Sequence, residues 1–161
     1  MPDCCGDDKV KFDVKTEKGQ PLPAGRADGK AQIVFIESEN QMVVPFHDAA
    51  VRFGVDGAWV GANYGNSYFA LTVDPGVHHL CASWQSVREL KKNVKLTSFT
   101  AEPGQVYYFA GEIVVSREAL IFSFSQLNED EGKYPLEALK LSTSKPKWAS
   151  RRTAIATARL S

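Results

Sequence analysis

The chain has 161 residues and a mass of 17.7 kDa, which suggests about one domain. Lys plus Arg is 19 and Asp plus Glu is 19, so the formal net charge is 0, which argues against a whole-surface electrostatic binder of nucleic acid. Hydrophobic residues make up 43% and charged residues 24%, which argues against disorder as the main state, and no apolar run approaches the ~18 residues that span a bilayer.

The N-terminal segment, residues 1–29, is polar and rich in Gly, Pro, Asp and Lys. Its one alternating run, Val10–Val14, reads as a first edge strand. No apolar h-region and no lipobox precede Cys4 and Cys5, so these residues do not read as a signal peptide. A Cys followed by small and acidic residues nevertheless matches the start of a processed bacterial lipoprotein. A lipid anchor at Cys4 or Cys5 is the one membrane contact the chain suggests.

From Lys30 onward short strands alternate with turn signals. Ala31–Glu37 is a β-branched and aromatic run. Val43–Phe46 reads as an edge strand because it contains Pro45. Val51–Val55 and Ala58–Gly61 flank Asp56-Gly57, a pair suited to the two positive φ angles of a type I′ hairpin turn. Ser67–Val73 and Val77–Trp84 flank Asp74-Pro75-Gly76, where Pro presets one turn position and Gly takes the next. The same device, Glu102-Pro103-Gly104, separates Val94–Ala101 from Gln105–Val115. A last hairpin turns through Ser116-Arg117-Glu118 into Ala119–Leu127. Asn128–Glu131 reads as an acidic turn, and Tyr134–Ser142 as one short helix with Pro135 near its start. Residues 143–161 read as a flexible basic tail. These signals predict an all-β, antiparallel sandwich over residues 30–142, with one short C-terminal helix.

Few residues suggest chemistry. Cys4, Cys5 and Cys81 fit no zinc spacing, and Cys81, in an alternating apolar stretch, reads as a buried free thiol. His78 and His79 are adjacent, so on a strand they face opposite ways and cannot hold one metal from one side. By alternation His78 shares a face with Leu80, Ala82 and Trp84, and its ring is expected to bond a turn carbonyl. His47, beside Asp48, completes the set of metal or general-base candidates with His78 and His79. No G-x-S-x-G elbow and no phosphate-cradling Gly loop before a helix is present. Trp59 and Tyr64, placed in or near loops, are the candidates for a partner-binding patch. Six cations follow Glu137 with no acid among them, a pattern of a solvated tail.

The block Val51–Gly61, then Ser67-Tyr68-Phe69, then Asp74-Pro75-Gly76-Val77-His78-His79-Leu80, resembles a PEGA-type domain. With Gly29–Phe35 and Pro103–Phe109 added, residues 29–127 resemble domain-of-unknown-function family 2846. Where the family's first strand often ends in Arg, this chain has Glu37. The resemblance implies a transthyretin-like or immunoglobulin-like sandwich, bacterial and often exported or lipid-anchored, with no assigned activity. It carries over no catalytic residue and no cofactor. The expectation is a non-catalytic cell-envelope interaction or structural module, with an unknown protein or cell-wall partner and no nucleic acid. The alternatives are a small-ligand carrier with an aromatic-lined cavity and a His-dependent metal enzyme.

Overall fold

A computed structural model describes residues 5–7, 9–18, 28–39, 50–85, 94–115 and 120–147. In chain order the elements are β1 (Phe12–Lys18), β2 (Ala31–Glu39), β3 (Val51–Val55), β4 (Ala58–Asn63), β5 (Ser67–Val73), β6 (Gly76–Trp84), β7 (Lys95–Ala101), β8 (Val106–Val115), β9 (Leu120–Leu127), α1 (Glu129–Leu136) and β10 (Lys140–Pro146). One sheet runs β1-β10-β5-β2-β8-β9 and the other β4-β3-β6-β7. The result is the expected all-β sandwich with one short helix. Two strand pairs, β10 with β5 and β2 with β8, are parallel, so the larger sheet is mixed rather than purely antiparallel. Parallel neighbours need a long crossover, and β2 and β8 are far apart in sequence.

Turn chemistry sets the hairpins. Asp56 (φ 50°) and Gly57 (φ 88°) both take the positive φ that a type I′ turn needs. Alternation sets the core. Ala31, Ile33 and Phe35 point between the sheets and meet Phe53, Leu80, Phe99, Phe109 and Phe122. Phe35 stacks on Phe53 at 4.7 Å, and Phe99 lies 5.0 Å from Phe109, so aromatic rings fill the centre of the sandwich. The opposite face of β2 packs Val34 and Ile36 against Tyr68, Tyr108 and Leu139, a second cluster outside the larger sheet. β2 is thus buried on both faces, which is why its residues read as one continuous apolar run.

The chain ends differ from the sequence expectation. The first strand starts two residues after the expected Val10–Val14 and ends four residues after it, and it pairs with β10 along its whole length, Phe12 opposite Pro146 and Lys18 opposite Lys140. Residues 143–146, expected in the tail, are therefore part of the sheet, and so are residues 12–18 of the expected polar segment. Ser142 and Ser144 explain how so polar a strand is held. Ser142 Oγ donates to the Ala62 carbonyl at 2.8 Å, and the Ala62 N–H donates to Ser144 Oγ at 3.1 Å. Those hydroxyls close one side of the sandwich against β4.

The helix is also shifted. It spans Glu129–Leu136, so the expected acidic turn is its first turn and Pro135 lies near its end. Leu136 and Leu139 mislead because their spacing of three is satisfied by tight turns: Ala138 N–H donates to Pro135 and Leu139 N–H to Leu136. Asn128 and Glu131 form a reciprocal capping box, and Gly132 lies on the Tyr108 ring, where any Cβ would overlap it. Asn128→Ala is expected to cost about 1 kcal/mol, read as a lower urea midpoint, by orphaning the Glu131 N–H. Val43–Phe46, His47 and residues 148–161 lie outside the described residues.

Candidate functional site

Two polar constellations stand out, one at an end of the sandwich and one on the outer face of the smaller sheet. At the end, the turn after β3 and the turn after β5 meet at His78. His78 lies on the inward side of β6, as alternation predicts, with its ring 5.9 Å from Phe99. Nδ1 is 2.6 Å from Asp56 Oδ2 and Nε2 is 2.6 Å from the Asp74 carbonyl, the turn-carbonyl bond expected from sequence. Both partners are acceptors, so the arrangement suits an imidazolium donating from both nitrogens. Asp56 Oδ1 accepts from the His79 N–H at 2.8 Å, and Lys30 Nζ meets Asp74 Oδ1 at 2.5 Å.

Burial pulls the His78 pKa down, but the Asp74 carbonyl and Asp56 carboxylate outweigh it, and the net shift is upward. Burial raises the Asp56 pKa, yet the His79 N–H and His78 outweigh it and hold that carboxyl below its usual range. A raised His pKa stabilises fully below the ordinary value of 6.5 and is lost as pH climbs through the folded value. A lowered Asp pKa stabilises above 3.8 and is lost as pH falls through its folded value. The pair therefore contributes most in mildly acidic solution. His78→Gln is expected to be less stable than wild type at pH 5.5, with the gap narrowing at pH 9. Asp56 is 44% exposed, so solvent screening keeps the effect below about 1 kcal/mol. Urea unfolding of both proteins at the two pH values checks this, and a gap that widens at pH 9 contradicts it.

His79 is exposed on the other side of the strand, so the structure separates the two histidines as predicted. His47 lies outside the described residues. Among the described residues no group of at least three His, Cys, Asp or Glu is placed to hold a metal.

The second constellation overturns the reading of Cys81. It is not a free thiol but is disulfide-bonded to Cys5, with Cα atoms 5.7 Å apart at a sequence separation of 76. Leu80 and Ala82 face the core, so Cys81 between them points to the outer face of β6. There residues 5–7 and 9–11 cross β3, β4 and β6 as a strap. Arg52, buried on β3, donates from Nη1 to the Val10 carbonyl at 2.7 Å and lies 4.1 Å above the Trp59 ring. Trp59 Nε1–H donates to the Asp7 carbonyl at 2.9 Å. Where the strap meets β1, Phe12 and Gln85 exchange two hydrogen bonds, of 2.7 and 2.6 Å.

Trp59 is thus a β4 residue, not a loop residue, and its indole face and N–H are committed within the chain. Tyr64 follows β4 at its other end, half-buried, about 16 Å along the strand from Trp59 at ~3.3 Å per residue. The structure does not join the two in one patch. Beyond the strap, the outer face stays open over Val77, His79, Leu96, Ser98 and Thr100. Val77 is 64% and Leu96 44% exposed. Sequence reasoning also missed Glu37, a fully buried acid continuing the inward series Ile33, Phe35. The signal was an acid in the phase of the core-facing residues.

No family model, no curated protein and no solved structure matches the chain.

Proposed function

We propose that this chain is a non-catalytic interaction module of the cell envelope, working outside the reducing cytosol. The disulfide carries this reading. Bridges of this kind form and persist in oxidising compartments, and cytosolic thiols are kept reduced. The resemblance to exported and lipid-anchored bacterial proteins points the same way. With Cys5 in the bridge, a lipid anchor would fall to Cys4. The strap would then hold the sandwich close to the membrane surface.

The commitment of both His78 ring nitrogens to structural partners favours binding over catalysis. The contact surface in this reading is the open half of the outer face, where Val77 and Leu96 flank His79 and Ser98. Trp59 serves that face indirectly by seating the strap, and Tyr64 is a further contact at the other end of β4. The test is capture from a detergent extract of bacterial envelopes, with the full oxidised chain as bait. Wild type should retain an envelope protein or wall fragment that Val77→Lys/Leu96→Lys loses, with thermal unfolding unchanged. Equal capture by both baits, or capture by neither, overturns the reading.

A further inference from the structure

Residues 5–7 and 9–11 lie on the smaller sheet in the manner of a bound peptide. The face supplies side-chain donors, Arg52 and Trp59, and the strap supplies main-chain acceptors, the carbonyls of Val10 and Asp7. No strap side chain takes part in either bond, so what is read is the main chain, shaped by a turn in which the Val10 N–H donates to the Asp7 carbonyl at 3.1 Å. Two glycines set the fit. A Cβ on Gly54 would stand 3.1 Å from the Cys5 carbonyl oxygen and 2.6 Å from Cys81 Sγ. Gly6, at φ +107°, lies against the indole, and a Cβ there would come 2.9 Å from Trp59 Cδ1. The bridge then fastens this docked segment covalently.

We propose that the outer face of β3, β4 and β6 is a docking face for a short, turn-containing peptide, filled in the intact chain by its own residues 5–7 and 9–11, and that cleavage of Cys5–Cys81 by a dithiol opens it to the same segment of a second copy. A second copy is the partner the geometry specifies, because every copy carries the segment seen seated there. The inference does not depend on the envelope reading. In the redox step, a thiolate of the dithiol attacks one bridge sulfur and expels the other cysteine as thiolate. The second thiol of the reductant then displaces the remaining cysteine. The reductant leaves as its own disulfide, and both cysteines take up protons as thiols. Cys5 is 3% and Cys81 0% exposed, so attack waits on the strap lifting.

The test uses the full chain carrying Cys4→Ala, Cys5→Ala and Gly6→Val, which removes the bridge and sets a Cβ against Trp59 so that the strap cannot seat in cis. The probe is a fluorescein-labelled peptide of residues 3–11 carrying Cys4→Ser and Cys5→Ser, followed by anisotropy. Saturable binding to the variant, none to oxidised wild type, and about tenfold weaker binding of a Gly6→Val peptide are expected. Absence of binding to the folded variant, or equal binding of the two peptides, overturns the proposal. Hydrogen exchange on reduced wild type gives a second readout. Amides of residues 5–7 and 9–11 should lose protection while β2, β5 and β8 keep theirs. Retained strap protection, or loss across all strands together, overturns it.

Discussion

Cys5→Ala, made in a Cys4→Ala background so that the neighbouring thiol cannot substitute, is expected to lower the free energy of unfolding by about 4 kcal/mol. The bridge closes a loop across 76 residues of sequence separation, and long loops gain most from cross-linking because the unfolded chain loses most freedom. Against a typical total of ~5–15 kcal/mol, that leaves a folded but much weakened sandwich. Guanidinium unfolding checks it. Wild type measured in a phosphine reductant should coincide with the variant. A difference below about 1 kcal/mol between oxidised wild type and variant would show that the unfolded chain is not being constrained by this bridge.

Phe35→Ala is expected to cost about 4 kcal/mol, and Phe35→Leu about 1. Phe35 is fully buried at the centre of β2, 4.7 Å from Phe53, 5.2 Å from Phe69 and 6.4 Å from Phe109. Its removal leaves a cavity bounded by both sheets, and rings anchored on different strands cannot all move to fill it. Leucine restores most of the volume but none of the stacking. Urea midpoints of the two variants measure the contrast, and equal losses would mean that the core contacts are not as tight as these distances imply.

Most of the sandwich is legible from local chemistry. Asp56-Gly57 marks its own hairpin, and Ser67–Val73 is found with both its ends correct because turn residues bracket it. What sequence hides is pairing at long range. β10, Lys140–Pro146, has almost no apolar content, and its order comes from β1, some 130 residues earlier, and from hydroxyl bonds to Ala62. No local pattern reports such partners. The bridge is hidden for the same reason, since Cys5 lies in a segment with no periodicity. One clue was present: Cys81 stands out of phase with Leu80 and Ala82, so it faces outward, and a buried outward-facing cysteine requires something to cover it. The bond from His78 to a turn carbonyl is local, Asp74 being four residues away, and was legible. Its bond to Asp56 comes from another hairpin and was not.

The most direct test of the account is thiol counting on the full chain, produced in an oxidising host, denatured and alkylated before and after reduction. The account predicts one alkylated cysteine before reduction and all three after it, with fragment ions assigning the linked pair to Cys5 and Cys81 rather than Cys4 and Cys81. Three reactive thiols before reduction would contradict it. The strap would then have no covalent hold, and the inference of an oxidising compartment would fall with it.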